Sequence, residues 1–206
     1  MKHQPITRHF AFLYPDDPHV QELLDIAIFV LNPLEKLSAH VTVAGPFGDV
    51  KELPREVEFC RKVCVFGAGE FRSSQQNTIH LRVDARDLEE IWDKPDVPYN
   101  PHMTIYDGDD KELADRLYEA LFQLRLYFCF FVSRVTHVSL VKGQGSLDLM
   151  ARANFSLVPE LRKKTLADIK AFSREERILV AVEALKRAKY WAHRSGSTAE
   201  PARALG

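Results

Sequence analysis

Two tetrapeptides constrain this chain more than any other feature: His40-Val41-Thr42-Val43 and His102-Met103-Thr104-Ile105. Each reads histidine, apolar, threonine, apolar. Period-two alternation of this kind belongs to a strand with one buried face, because successive side chains point to opposite sides. Each strand therefore anchors itself by its apolar pair and presents a histidine and a threonine together on the other face. A fold for this chain must bury two such strands, 62 residues apart, without burying what they display.

The segments around them interleave strands and helices. Residues 8–14 are β-prone and end at Pro15. Residues 18–31 read as a helix, with Asp17 as cap, Pro18 in the first turn and Val20, Leu23, Leu24, Ala27 and Ile28 as the apolar stripe. The first histidine strand is expected to close at Gly45-Pro46. Residues 54–66 read as a helix, with Val57, Cys60, Cys64 and Val65 on one side. Residues 68–71 and 78–83 read as a hairpin turning at 73–77, and 87–92 as a short helix. The second histidine strand, 101–106, stops at Asp107-Gly108. Residues 110–126 form the clearest amphipathic helix, with Leu113, Leu117, Ala120, Leu121 and Leu124 inward. Residues 127–141 are β-rich and are expected to pair with 147–157. Irregular connections of this sort indicate an α+β fold dominated by antiparallel pairing.

The chain is divided here into a main domain over 1–158, a helical extension over 159–194 and a disordered tail over 195–206. Ser173-Arg-Glu-Glu176 fits a capping box at the start of the extension's main helix. The extension is expected to dock on the body, with dimerisation or nucleic-acid contact as its other uses. Residues 159–206 carry eleven Lys/Arg against six Asp/Glu, so the remaining 158 residues are net −6 within a total of −1. An acidic body is unlike a protein that grips long nucleic acid by its phosphates. With 46% hydrophobic and 28% charged residues the composition is that of a globular domain. No apolar run is long enough for a membrane span, and the polar opening residues carry no signal-peptide core. Cys60, Cys64 and Cys129 are read as reduced thiols of a cytoplasmic protein, since they lack CxxC spacing. Neither GxGxxG, GxxxxGK[ST] nor HExxH occurs, so no cofactor and no metal are expected.

A histidine beside a threonine on one strand face is chemistry-bearing. Imidazole titrates near neutrality and serves as general acid or base. Threonine hydroxyls donate to anionic oxygens. Single His-x-Ser/Thr patterns are weak, and roughly one is expected by chance among eight histidines. His137-Val138-Ser139-Leu140 is a third instance.

The residues around the first two instances carry more information. Ala39-His-Val-Thr-Val-Ala-Gly45 and Asn100-Pro-His-Met-Thr-Ile-Tyr106 resemble the two signature motifs of the 2H phosphoesterase superfamily, which includes 2′-5′ RNA ligase-like proteins and cyclic nucleotide phosphodiesterases. The opening strand 8–14 and a Gly69-Glu-Phe71 turn resemble further family features, so the likeness covers roughly residues 6–157. It implies a bilobal α+β fold with pseudo-twofold symmetry, each lobe giving one His-x-Thr strand to a central cleft. It implies His40/Thr42 and His102/Thr104 as the catalytic pairs, and a late structural strand for His137. It implies a metal-independent phosphodiesterase acting on a cyclic 2′,3′-type or 2′-linked phosphodiester of a nucleotide, short RNA end or short cyclic oligonucleotide. The alternative is a non-catalytic RNA-end or nucleotide-binding module that keeps the fold. Bacterial ligase-like members often carry an arginine after the second motif. Tyr106-Asp-Gly108 stands there instead, which favours the cyclic phosphodiesterase branches. Tyr106, Tyr14, Phe12 and Phe47 are candidate base-stacking residues and Arg8 a candidate phosphate contact.

Overall fold

Asp17 starts the first helix by accepting hydrogen bonds from the amides of His19 and Val20, at 2.8 and 3.1 Å. With Pro18 in the first turn, this sets α1 at Pro18–Leu31, and nine of its fourteen residues are buried. In the computed structural model the described residues are 7–32, 37–49, 51, 58–85, 88–89, 99–141 and 155–196. The expected helix at 87–92 and the expected strand at 147–157 fall largely outside them. So does the expected tail at 195–206 beyond Gly196, whereas Ser195 and Gly196 belong to the last helix.

Among the described residues two antiparallel sheets make up the α+β body. The first has three strands in the order β2-β1-β7, with β1 at Thr7–Leu13, β2 at Val41–Phe47 and β7 at Thr136–Val141. The second has four strands in the order β5-β4-β3-β6: β3 at Glu58–Arg72, β4 at Asn77–Asp84, β5 at His102–Gly108 and β6 at Phe128–Arg134. One hydrophobic core among the described residues draws on both sheets and all the long helices.

Several expectations change. Residues 58–66 belong to β3, not to a helix. Val63 and Val65 are fully buried at two-residue spacing between β4 and β6, and this alternation overrides the looser four-residue spacing of the cysteines. Cys64 and Cys129 stand directly opposite on β3 and β6 and form a disulfide, and only Cys60 is a free thiol. The reading of three reduced thiols is therefore wrong. Its compartment argument falls with it, because disulfides persist mainly in oxidising surroundings. Strand β2 continues through Gly45-Pro46 to Phe47. Gly45 has φ +105°, and a Cβ there would lie 2.6 Å from the His9 carbonyl oxygen. Gly69-Glu-Phe71 is not a turn but the interior of β3. Residues 127–141 divide between sheets, with β6 and β7 on either side of buried Val135.

Helix α2, at Lys111–Leu124, is capped by Asp110 and buries Leu113, Ala114, Leu117 and Leu121. Each buried leucine contributes about 1.5–3 kcal/mol. A short α3, Leu166–Lys170, leads into α4, Arg174–Gly196. Ser173 and Glu176 exchange side-chain and backbone bonds at its start, the expected capping box. Ala181, Ala184 and Ala188 are fully buried on α4 and let it lie close along α1. Arg177 donates to the Val30, Lys170 and Phe172 carbonyls, fastening α4 to the end of α1. Among the described residues no helix is long and apolar enough to cross a membrane.

Candidate active site

Among the described residues the two motif strands are the edges of their sheets, and β2 and β5 lie against one another without a hydrogen-bonded ladder. On β2, Val41 and Val43 are fully buried while Thr42 and the preceding His40 are half-buried. On β5, Met103 and Ile105 are fully buried while His102 and Thr104 are half-buried. The alternation read from the sequence is present in both, and it brings the two His-Thr faces to neighbouring strands.

Each imidazole is held in the same way. His40 Nδ1 lies 2.7 Å from the Ser38 carbonyl oxygen, and His102 Nδ1 lies 2.8 Å from the Asn100 carbonyl oxygen. A carbonyl only accepts, so Nδ1 carries the proton in both rings. The lone pair of each neutral imidazole is then on Nε2. The carbonyl belongs in both cases to the residue two positions earlier, so the geometry is built into each strand's entry.

The strands beside the motifs repeat the relation. Phe12 on β1 is opposite Thr42, and His80 on β4 is opposite Thr104. Phe12, 1% exposed, stacks on His40 with centroids 3.8 Å apart. It is a buttress under the imidazole rather than a base-stacking surface. His80, 4% exposed, tilts against His102 at 5.0 Å and stacks on Phe71 at 4.3 Å. Burial, then the charges of His102 and Arg82, push His80 down to about 4, so it is neutral at ordinary pH. Its ring lies over Gly69, where any Cβ would come within 2.3 Å of Nε2. Arg82 is opposite His102. Tyr14 follows the Leu13–Val41 pair and sits 6.3 Å from the His40 ring. Burial and the charge of Asp25 push its phenol up to about 12.

Tyr106 is not on the His-Thr face of β5. Its register partner is Ile79, whereas His80 already pairs with Thr104, so β5 holds one extra residue at this point. That bulge turns Tyr106 from the polar face into the core, where it is 3% exposed. Its hydroxyl accepts from the Asp110 amide at 3.1 Å, tying it to the start of α2. Phe47 is partly buried against the core. Arg8 is exposed and shares the Phe10 and Phe12 side of β1. His137 is opposite Ala11, on the other face of the sheet from Phe12.

Four contributors were missed from the sequence: Asp25, His80, Arg82 and Phe71. Asp25 on α1 accepts from the Ala39 amide at 2.6 Å and from Gln21 at 2.9 Å, holding the turn from which His40 projects. Burial pushes its carboxyl up to about 6 against the opposing bonds from Ala39, Gln21 and Ser38. A lone acid inside the Leu23–Leu31 apolar run was the available signal. His80 and Arg82 were legible as alternating polar residues in Thr78-Ile-His-Leu-Arg-Val83, but nothing local says which strand they face. Phe71, 44% exposed and edge-on to His102 at 5.2 Å, is an aromatic surface at the site. Among the described residues no three His, Cys, Asp or Glu side chains converge as metal ligands would.

No protein-family model matches this chain, and no curated protein is significantly similar to it.

Proposed function

We propose that this protein is a metal-independent phosphodiesterase of the two-histidine class, with the bilobal 2H arrangement of its sheets. The observation that carries the reading is the repeated construction of the two motifs. Two strands that meet, each at the edge of its sheet among the described residues, carry a histidine and a threonine on one face, and each histidine is held through Nδ1 by the carbonyl two residues before it.

The chemistry follows from those groups. One neutral imidazole, through Nε2, takes the proton from an attacking water or hydroxyl as its oxygen bonds to phosphorus. The other, protonated, delivers a proton to the leaving oxygen as its P–O bond breaks. The hydroxyls of Thr42 and Thr104 donate to the two non-bridging oxygens, where charge accumulates. Phe71 offers a face for one base, and such stacking contributes about 1–3 kcal/mol. With a net −6 over residues 1–158, the substrate is a small one: a nucleoside 2′,3′-cyclic phosphate, a short RNA end or a short cyclic oligonucleotide.

The test is incubation with 2′,3′-cyclic mononucleotides, 2′-5′ oligoadenylate and cyclic dinucleotides in EDTA, with products read by mass spectrometry. Turnover in EDTA, lost in His40→Ala and His102→Ala, is the expected result. No turnover of any member, or turnover only with added divalent metal, overturns the reading.

A further inference from the structure

The two halves of the site match closely enough that their difference is informative. Opposite the threonines stand Phe12 and His80. Beside the histidines stand Tyr14 and Arg82, the first neutral and the second a permanent cation. Directly opposed residues on antiparallel strands have Cβ atoms about 4.5–5.5 Å apart on a shared face. The Arg82 side chain therefore rises beside the His102 ring. It is exposed, and it makes no hydrogen bond or ion pair to another described residue. Leu81 and Met103, the next register pair, are both fully buried, which fixes their face to the core and places Arg82 and His102 on the opposite face.

A phosphodiester presents four oxygens: two non-bridging, one leaving and one retained. Attack adds one entering oxygen. Two imidazoles and two hydroxyls already serve the four that change charge or proton. The Arg82 guanidinium is surplus to them, and it lies on the His102 side, away from Thr104 along the strand. A planar fork of donors in that position suits a phosphate monoester better than it suits another contact to the scissile group.

We propose that Arg82 is a specificity-determining residue that binds a second phosphate on the same nucleotide, beside the scissile phosphodiester. This rests on the phosphodiesterase reading. It makes the substrate asymmetric in the cleft, with its anionic end over the four-stranded sheet.

The experiment compares adenosine 2′,3′-cyclic phosphate with and without a 5′-phosphate, in wild type, Arg82→Gln and Arg82→Lys. The expected ratio of kcat/KM, phosphorylated over unphosphorylated, is about tenfold or more in wild type, near one in Arg82→Gln and intermediate in Arg82→Lys. A wild-type ratio near one, or a ratio that Arg82→Gln leaves unchanged, overturns the proposal. If wild type hydrolyses neither compound, adenosine 2′,3′-cyclic phosphate is not its substrate, and if it also turns over no member of the panel above, the phosphodiesterase reading fails. Arg82 is then judged by titrating inorganic pyrophosphate while following the His102 imidazole by NMR. Binding weakened about tenfold by Arg82→Gln sustains the second-anion site. No binding by wild type, or equal binding by both proteins, overturns it.

Discussion

Phe12 stacks on His40, 3.8 Å from centroid to centroid with the planes inclined by 26°, and is itself buried. The contact holds the ring plane while the Ser38 carbonyl holds Nδ1, so His40 has little rotational freedom left. Phe12→Leu keeps the apolar volume but removes the flat surface. It is expected to lower kcat by about tenfold with KM little changed, because orientation of the acid or base is lost rather than substrate binding. Steady-state kinetics on a 2′,3′-cyclic nucleotide checks this, and an unchanged kcat removes the buttress role.

His40→Ala and His102→Ala are each expected to reduce kcat/KM by about 10²–10⁴-fold, the usual contribution of a general acid or base. His137→Ala is expected to stay within about threefold of wild type, since His137 opposes Ala11 on the far face of the sheet. Equal damage from all three variants contradicts the assignment.

His80 is held neutral, with its pKa near 4 against an ordinary 6.5. In the unfolded chain it binds a proton at higher pH, so between about pH 6.5 and 4 unfolding takes up protons. Stability is present above 6.5 and is lost as pH falls through that window, by about 3 kcal/mol in full. His80→Phe, which repeats Phe12 in the matching position, is expected to flatten this acid-side loss. Urea midpoints at pH 7 and pH 4.5 measure it, and parallel losses in both proteins refute it.

Asp25 acts with the opposite sign. Its folded pKa of about 6 lies above the ordinary 3.8, so the folded state holds its proton longer. Its contribution is present at low pH and is lost as pH rises from about 4 to 6. Asp25→Asn keeps an acceptor for the Ala39 amide and is expected to remove that decline. Asp25→Ala leaves the buried amide unpaired, at a cost of about 1–3 kcal/mol. It is also expected to lower kcat by loosening the turn before His40. Comparison of the two variants by thermal melts at pH 4.5 and 7.5 separates the ionisation from the hydrogen bond.

The local elements that were legible in the sequence are those whose evidence is local. Asp17-Pro18 with its stripe specified α1. Ser173 and Glu176 specified the start of α4. The two His-x-Thr alternations specified which side chains of β2 and β5 would be polar-faced. Those patterns need only a strand's two-residue period or a helix's cap. What the tertiary structure alone decided depends on partners distant in the chain. Cys64 reads as a helix residue until β4 and β6 flank it and Cys129 comes opposite, 65 positions away. Tyr106 reads as a site residue until one extra residue in β5 turns it to the core. His80 and Arg82 become neighbours of His102 only through the register of β4 on β5. A strand's sequence states which residues share a face, but the face acquires its meaning from the strand it is paired against, and that pairing is a property of the whole fold.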